Sequence, residues 1–167
     1  MAETIRKVDY FYIETPNKPG EGAKALAALR DAGINLLAFS GFPSGRRAQI
    51  DFIPEDTVAF KAAAKKAGLK LSSKKTGFLI QGDDRAGAIA DIVAKLAAAN
   101  INITAMSGVS ASAGRYGAIM WVKGPDVRRA AKVLGTLTPT TAVATQPAPA
   151  AQPEQTEPGA AAESKPI

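Results

Sequence analysis

The chain has 167 residues, 46% of them apolar, with 21 basic and 15 acidic side chains, a formal charge of +6, and neither cysteine nor histidine. The missing thiols exclude a disulfide framework, a thiolate zinc site and a cysteine nucleophile, and the missing imidazoles remove the commonest general base and metal ligand. No apolar run approaches the ~20 residues that a membrane-spanning helix needs, and Met1, Ala2, Glu3, Thr4 do not open a signal peptide, so the expectation is a cytoplasmic protein with no membrane contact, metal or cofactor.

Val8 to Glu14 alternates, with Val8, Tyr10 and Tyr12 on one face and Phe11 and Ile13 on the other, and reads as a strand. The turn Thr15 to Gly20 opens a helix that runs to about Ala32 on Ala25, Leu26, Leu29 and Ala32, with Gly33 as its stop. Strands follow at Ile34–Phe42 and Arg46–Ile53, joined by Pro43, Ser44, Gly45. A helix from Asp56 to Ala67, capped by Asp56 and closed by Gly68, leads to a fourth strand at Leu69–Lys75. The order is βαββαβ.

The second part repeats the first, displaced by 67 positions: Ile34, Asn35, Ala38, Ser40, Gly41 return as Ile101, Asn102, Ala105, Ser107, Gly108. Gly20 meets Gly87, Leu29 meets Leu96, and Phe11, Tyr12, Ile13 meets Phe78, Leu79, Ile80; Gly45 and Arg46 match Gly114 and Arg115 after a two-residue insertion. The matching elements are strands at Thr76–Gln81, Ile101–Val109 and Arg115–Lys123, and helices at about Ala86–Ala99 and Asp126–Leu134, with a last strand at Thr136–Thr138 or Thr141–Thr145. A period this long suits a duplicated small domain. The expected division is 1–75, 76–138 and a tail 139–167 that holds six of the eleven prolines and no aromatic residue, and is expected to be disordered. The tail carries −2, which leaves +8 on the rest.

The physical solution for a βαββαβ unit is the ferredoxin-like sandwich, α+β, with both helices on one face of an antiparallel four-stranded sheet. Ile34, Leu36 and Ala38 are expected toward the helices. Asn35, Leu37, Phe39, Asn102, Thr104, Met106, Tyr10 and Tyr12 then lie on the opposite face, too apolar to stay wet, which the other repeat or a second chain would cover.

The candidate binding loops precede the first helix of each repeat: Asn17, Lys18, Pro19, Gly20 and Asp84, Arg85, Ala86, Gly87. Free backbone N–H groups at a helix start favour a carboxylate, glycine admits close approach, Lys18 or Arg85 adds charge, and Asn17 or Asp84 can accept from an ammonium. The same pattern also serves ordinary helix initiation. Asn35 and Asn102 occupy equivalent places and suggest a polar contact needed twice.

These residues resemble the ACT domain, a regulatory module that binds amino acids in enzymes of amino-acid metabolism. The resemblance covers Val8–Lys75 and Thr76–Leu137 and rests on the strand, the loop, the Ala/Leu helix, and Gly33, Ile34, Asn35 or Asn100, Ile101, Asn102. It implies units paired side by side, as a homodimer or within the chain, and a ligand between the loop of one unit and the second strand of its neighbour. That nominates Asn17, Lys18, Pro19, Gly20 and Gly22 with Asn35, and Asp84, Arg85, Ala86 and Gly87 with Asn102. Ala86 departs from the proline the family often has there. The expected function is a non-catalytic regulator that binds a small molecule, most simply an amino acid, and acts on an enzyme or regulator.

The alternative is nucleic-acid binding on the sheet, given the +8 body and Tyr10 and Tyr12. Against it, the third strands lack a basic, glycine and aromatic run, and Lys61, Lys65, Lys66, Lys70, Lys74 and Lys75 read as a solvated face. Asp83 and Asp84 are adjacent and do not form a catalytic pair, and no phosphate loop or serine motif is present.

Overall fold

A computed structural model describes residues 3–136. The tail 139–167 and the alternative last strand at 141–145 lie outside the described residues. The elements are β1 (Thr4–Pro16), α1 (Glu21–Asp31), β2 (Leu36–Ser44), β3 (Arg47–Pro54), α2 (Thr57–Lys66), β4 (Lys75–Asp83), α3 (Ala88–Ala98), β5 (Ile103–Ala111), β6 (Arg115–Val122) and α4 (Val127–Val133), which a 3-10 turn at Gly124–Asp126 introduces. The expected α+β class and the βαββαβ-like repeat are present, built on one antiparallel sheet of six strands in the order β2-β3-β1-β4-β6-β5.

The helices form where local chemistry asks for them. Asp56 caps α2, its Oδ1 accepting from the N–H groups of Val58 and Ala59 at 2.8 and 3.0 Å, an arrangement worth about 1 kcal/mol. Asn100 stands where the first repeat has Gly33 and takes the same left-handed conformation, with φ of 54° against 70°, a geometry asparagine tolerates among non-glycine residues.

β1 unites the two halves. Its end from Phe11 to Pro16 pairs with β3, while Thr4 to Tyr10 pairs with β4. Thirteen residues span about 43 Å, enough for both. The odd-numbered side chains point to one side along the whole strand: Ile5 joins Phe78, Ile80, Ile92, Leu96 and Ala130, while Phe11 and Ile13 join Leu29, Ile50, Phe52 and Phe60. Both helix pairs therefore lie on the same side of the sheet.

This sharing changes the expected fourth strands. The segment from Leu69 to Lys74 is not a strand, although Leu69 and Leu71 still pack inward on the first core. The Ser72 N–H still donates to the Tyr12 carbonyl at 2.8 Å, but the Tyr12 N–H donates to the Ser72 hydroxyl at 3.0 Å instead of a backbone carbonyl, so a single backbone bond replaces a ladder there. In the second half, β4 has β6 on one side and Thr4–Tyr10 on the other. The first half thus supplies the flanking strand of the second.

The expected facing of the second strands also changes. Register shifts between Leu36 and Ala38 and between Ile103 and Ala105 mark bulges, each of which inverts the alternation beyond it. Phe39 consequently pairs with Phe52, and Met106 with Met120, on the helix side; Ala38 turns to the open face. The hairpin in the second half is longer by one residue, not two: Arg115 pairs with Ala111 as Arg47 pairs with Ser44, while Arg46 lies in the turn.

The open face is apolar at its centre, where Val8, Ile53, Leu79, Ile119 and Trp121 form a contiguous buried cluster across the seam, joined by Tyr10, Leu37 and Ala38. Tyr10 meets Trp121 edge to face at 5.7 Å, a favourable ring geometry.

Candidate functional site

The loop before each first helix is where a ligand was expected, and each ends in a left-handed glycine. Gly20 has φ of 90° and Gly87 of 81°, each is the N-cap residue, and neither helix start receives a side-chain cap. Asn17 and Asp84 are therefore not caps. A β-carbon at Gly20 or Gly87 would meet nothing within 4 Å, so conformation and not space requires glycine there.

In the first half Asn17, Lys18, Pro19 and Gly20 are exposed, the Lys18 N–H donating to the Pro16 carbonyl at 2.9 Å. Gly22 faces inward, where a β-carbon would stand 3.6 Å from Ile50 Cδ1. In the second half the loop closes over the end of β5. The Asp84 N–H donates to the Gly114 carbonyl at 2.8 Å, and Ser110 Oγ donates to Asp84 Oδ2 at 2.6 Å. Arg85 folds back onto Asp91, which holds its guanidinium further above its already high range. Ala86 sits in the same loop, exposed.

Between this loop, the start of α3 and the end of β5 lies a cavity of about 430 Å³ lined by Asp84, Arg85, Gly87, Gly108, Ser110 and Tyr116. Tyr116 is 6% exposed and its hydroxyl donates to Glu3 Oε2 at 2.9 Å. Burial first, and then this bond and the charge of Glu3, push its hydroxyl up to about 12. A raised tyrosine pKa stabilises the fold below the ordinary value of 10.0 and loses that contribution as pH rises from there to about 12. Urea midpoints for wild type are expected to fall across that window more than those of Tyr116→Phe, which keeps only the smaller contribution of Tyr10, raised in the same direction chiefly by burial.

Asn35 and Asn102 lie elsewhere. Asn35 follows the far end of α1, where its Nδ2 donates to Glu55 Oε2 at 2.9 Å and it lines a second, more open pocket of about 430 Å³ with Leu26, Arg30, Gly33 and Ile34. An 11-residue helix is about 16 Å long, which separates Asn35 from Asn17–Gly20 within one unit. Asn102 follows α3 in the same way and is exposed. Neither asparagine reaches the loop of the other half along the sheet, because β2 and β5 are its two outer edges.

The structure thus brings Asp84, Arg85 and Gly87 together and adds Gly108, Val109, Ser110 and Tyr116, which sequence reasoning missed. The signal was present in the duplicated Ser-Gly at 40–41 and 107–108, since the end of the second strand must fold back beside the loop. Among the described residues no group of three or more acidic side chains is placed to hold a metal, and no helix is long and apolar enough to cross a membrane.

No protein-family model and no curated protein matches the sequence. Solved structures do. Protein BT0572 from Bacteroides thetaiotaomicron superposes with a TM-score of 0.68 at 18% identity, covering 78% of this chain and 88% of that one. The ligand-free regulatory subunit of aspartate kinase from Thermus thermophilus gives 0.51 at 19% identity, covering 80% and 93%. At such identity the likeness is one of fold, and the fold of this chain is that of two ACT units in tandem.

Proposed function

We propose that the chain is a non-catalytic regulatory protein that binds a free amino acid, and that the cavity at the start of α3 is its principal site. The observation that carries this reading is the pairing of opposite polarities around one cavity. The first-turn N–H groups of α3 have no side-chain cap and suit a carboxylate, while Asp84, fixed by Ser110, suits an ammonium. The similarity in fold to a regulatory subunit of aspartate kinase agrees with the role.

The remaining nominated residues enter through a second copy. β2 (LLAFSGFPS) and β5 (ITAMSGVSA) are edge strands without a single charged residue, and beyond the bulge near its start β5 has neither charge nor proline to block pairing. Pairing at these edges forms a homodimer and carries Asn35 or Asn102 of one copy toward a loop of the other, completing sites at Asn17, Lys18, Pro19, Gly20 and Gly22 and at Asp84, Arg85, Ala86 and Gly87. The units divide at 75/76, with the second ending near 138, and the protein works in the cytoplasm on an enzyme or regulator that reads the liganded state. For a nucleic-acid reading the sheet tyrosines would have to stack bases, but Tyr10 is engaged by Trp121 and Tyr12 carries the Lys75 ammonium.

A thermal-shift screen over the amino acids tests the proposal. One of them is expected to stabilise wild type, by about 2.7 kcal/mol at a hundred times its Kd. Calorimetry with Asp84→Asn should show about tenfold weaker binding, since the amide keeps the Ser110 bond and loses the charge. No stabilisation by any amino acid would refute the reading.

A further inference from the structure

On the open face, away from the cavity at α3, Asp51 is 5% exposed and is the one acidic or basic side chain buried among the described residues. Gln49 Nε2 donates to its Oδ1 at 2.8 Å and Ser40 Oγ to its Oδ2 at a long 3.4 Å. No cation among the described residues comes within ion-pair distance of it. Buried carboxylates are ordinarily paired with a cation, because desolvation costs several kcal/mol otherwise.

The fold does not ask for a carboxylate here. Asp51 pairs across the sheet with Tyr12 and Ser40, and the corresponding residue of the second half, paired with Leu79 and Ser107, is Ile119. An isoleucine fills that place within the apolar cluster. The serine is kept in both halves, while the acid belongs to the first alone.

The surroundings attract ammonium groups. The Nζ of Lys75 rests 4.7 Å from the centroid of the Tyr12 ring, directly across from Asp51, and stops short of an ion pair with it. An aromatic face beside a carboxylate is the chemistry that recognises organic cations. We propose that Asp51, Ser40, Gln49 and Tyr12 form a site for the primary ammonium of a small organic amine, which approaches from the open face and takes the weakly held Oδ2. The site is independent of the amino-acid cavity.

The chain's single tryptophan reports on it, since Trp121 touches the Tyr10 ring one alternate position along β1 from Tyr12. Titration of the full chain with n-butylammonium chloride, against sodium chloride at equal ionic strength, is expected to change Trp121 fluorescence saturably. Asp51→Asn should weaken binding about tenfold, and Asp51→Ile, the residue of the second half, should abolish it while circular dichroism stays native. Lys75→Met, which removes the competing ammonium, should tighten it. A response no larger than the salt control, equal affinity in Asp51→Asn, or an apparent affinity that depends on protein concentration overturns the proposal.

Discussion

Phe78→Ala is expected to destabilise the chain by about 3–5 kcal/mol and to unfold both halves in one transition. Phe78 is fully buried in the second core, packed among Ile5, Ile80, Ile92, Leu96 and Met120. It lies on β4, which is bonded to β1 on one side and β6 on the other, so the backbone around the cavity has no free direction in which to collapse. A loss of this size is roughly a third to a half of the ~10 kcal/mol typical of a domain. The coupling between halves follows from β1. Thr4–Tyr10 belongs to the sheet of the second half and Phe11–Pro16 to that of the first, so melting either half frays a strand that the other needs. Urea unfolding followed by Trp121 fluorescence in the second half and by circular dichroism over the whole should give coincident midpoints, lowered together in the variant. Two separated transitions would show that the halves fold independently.

Elements with a local cause were legible in the letters. Asp56 as a cap, Gly33 as the stop of the first helix, the strand alternation of Phe11 and Ile13 and the 67-residue repeat all depend on neighbours in sequence, and each has its counterpart in the fold. The bulges at Leu37 and Thr104 were not, because inserting one residue into a strand leaves composition unchanged while reversing which side chains face the helices. The double use of β1 was hidden for a different reason. Nothing in Thr4–Tyr10 distinguishes a strand that pairs with the next repeat from one that simply begins early.

The candidate site was legible in part on the same grounds. The loop Asp84–Gly87 announces itself by a glycine at a helix start. Tyr116 and Ser110 arrive from residues more than 20 positions away, through hairpin register alone. The two asparagines matched in sequence, but a helix length separates them from the loops they were grouped with.

Register also exposes a complementary exchange between the halves that predicts the second large effect. Gly82 of β4 lies opposite Tyr116 of β6, and the equivalent pair in the first half is Thr15 opposite Ala48. One half places its bulk on the third strand and the other on the first. A β-carbon at Gly82 would come within 2.8 Å of Tyr116 Cε1 and 3.3 Å of Cζ, and the ring cannot yield as a flexible chain end would, since it is packed in the second core with its hydroxyl on Glu3. Gly82→Ala is therefore expected to cost about 1–3 kcal/mol, to break the bond to Glu3 and to drive the ring into the cavity at α3. Tyr116→Ala alone should also destabilise, through lost packing. Combined as Gly82→Thr with Tyr116→Ala, the pair reproduces the first half, and the clash disappears with the ring. The double variant should consequently be more stable than the sum of Gly82→Thr alone and Tyr116→Ala alone predicts, by about 1 kcal/mol or more, in a urea double-mutant cycle. Simple additivity would mean that the glycine is not there to make room for Tyr116, and that the wall of the cavity is set by some other contact.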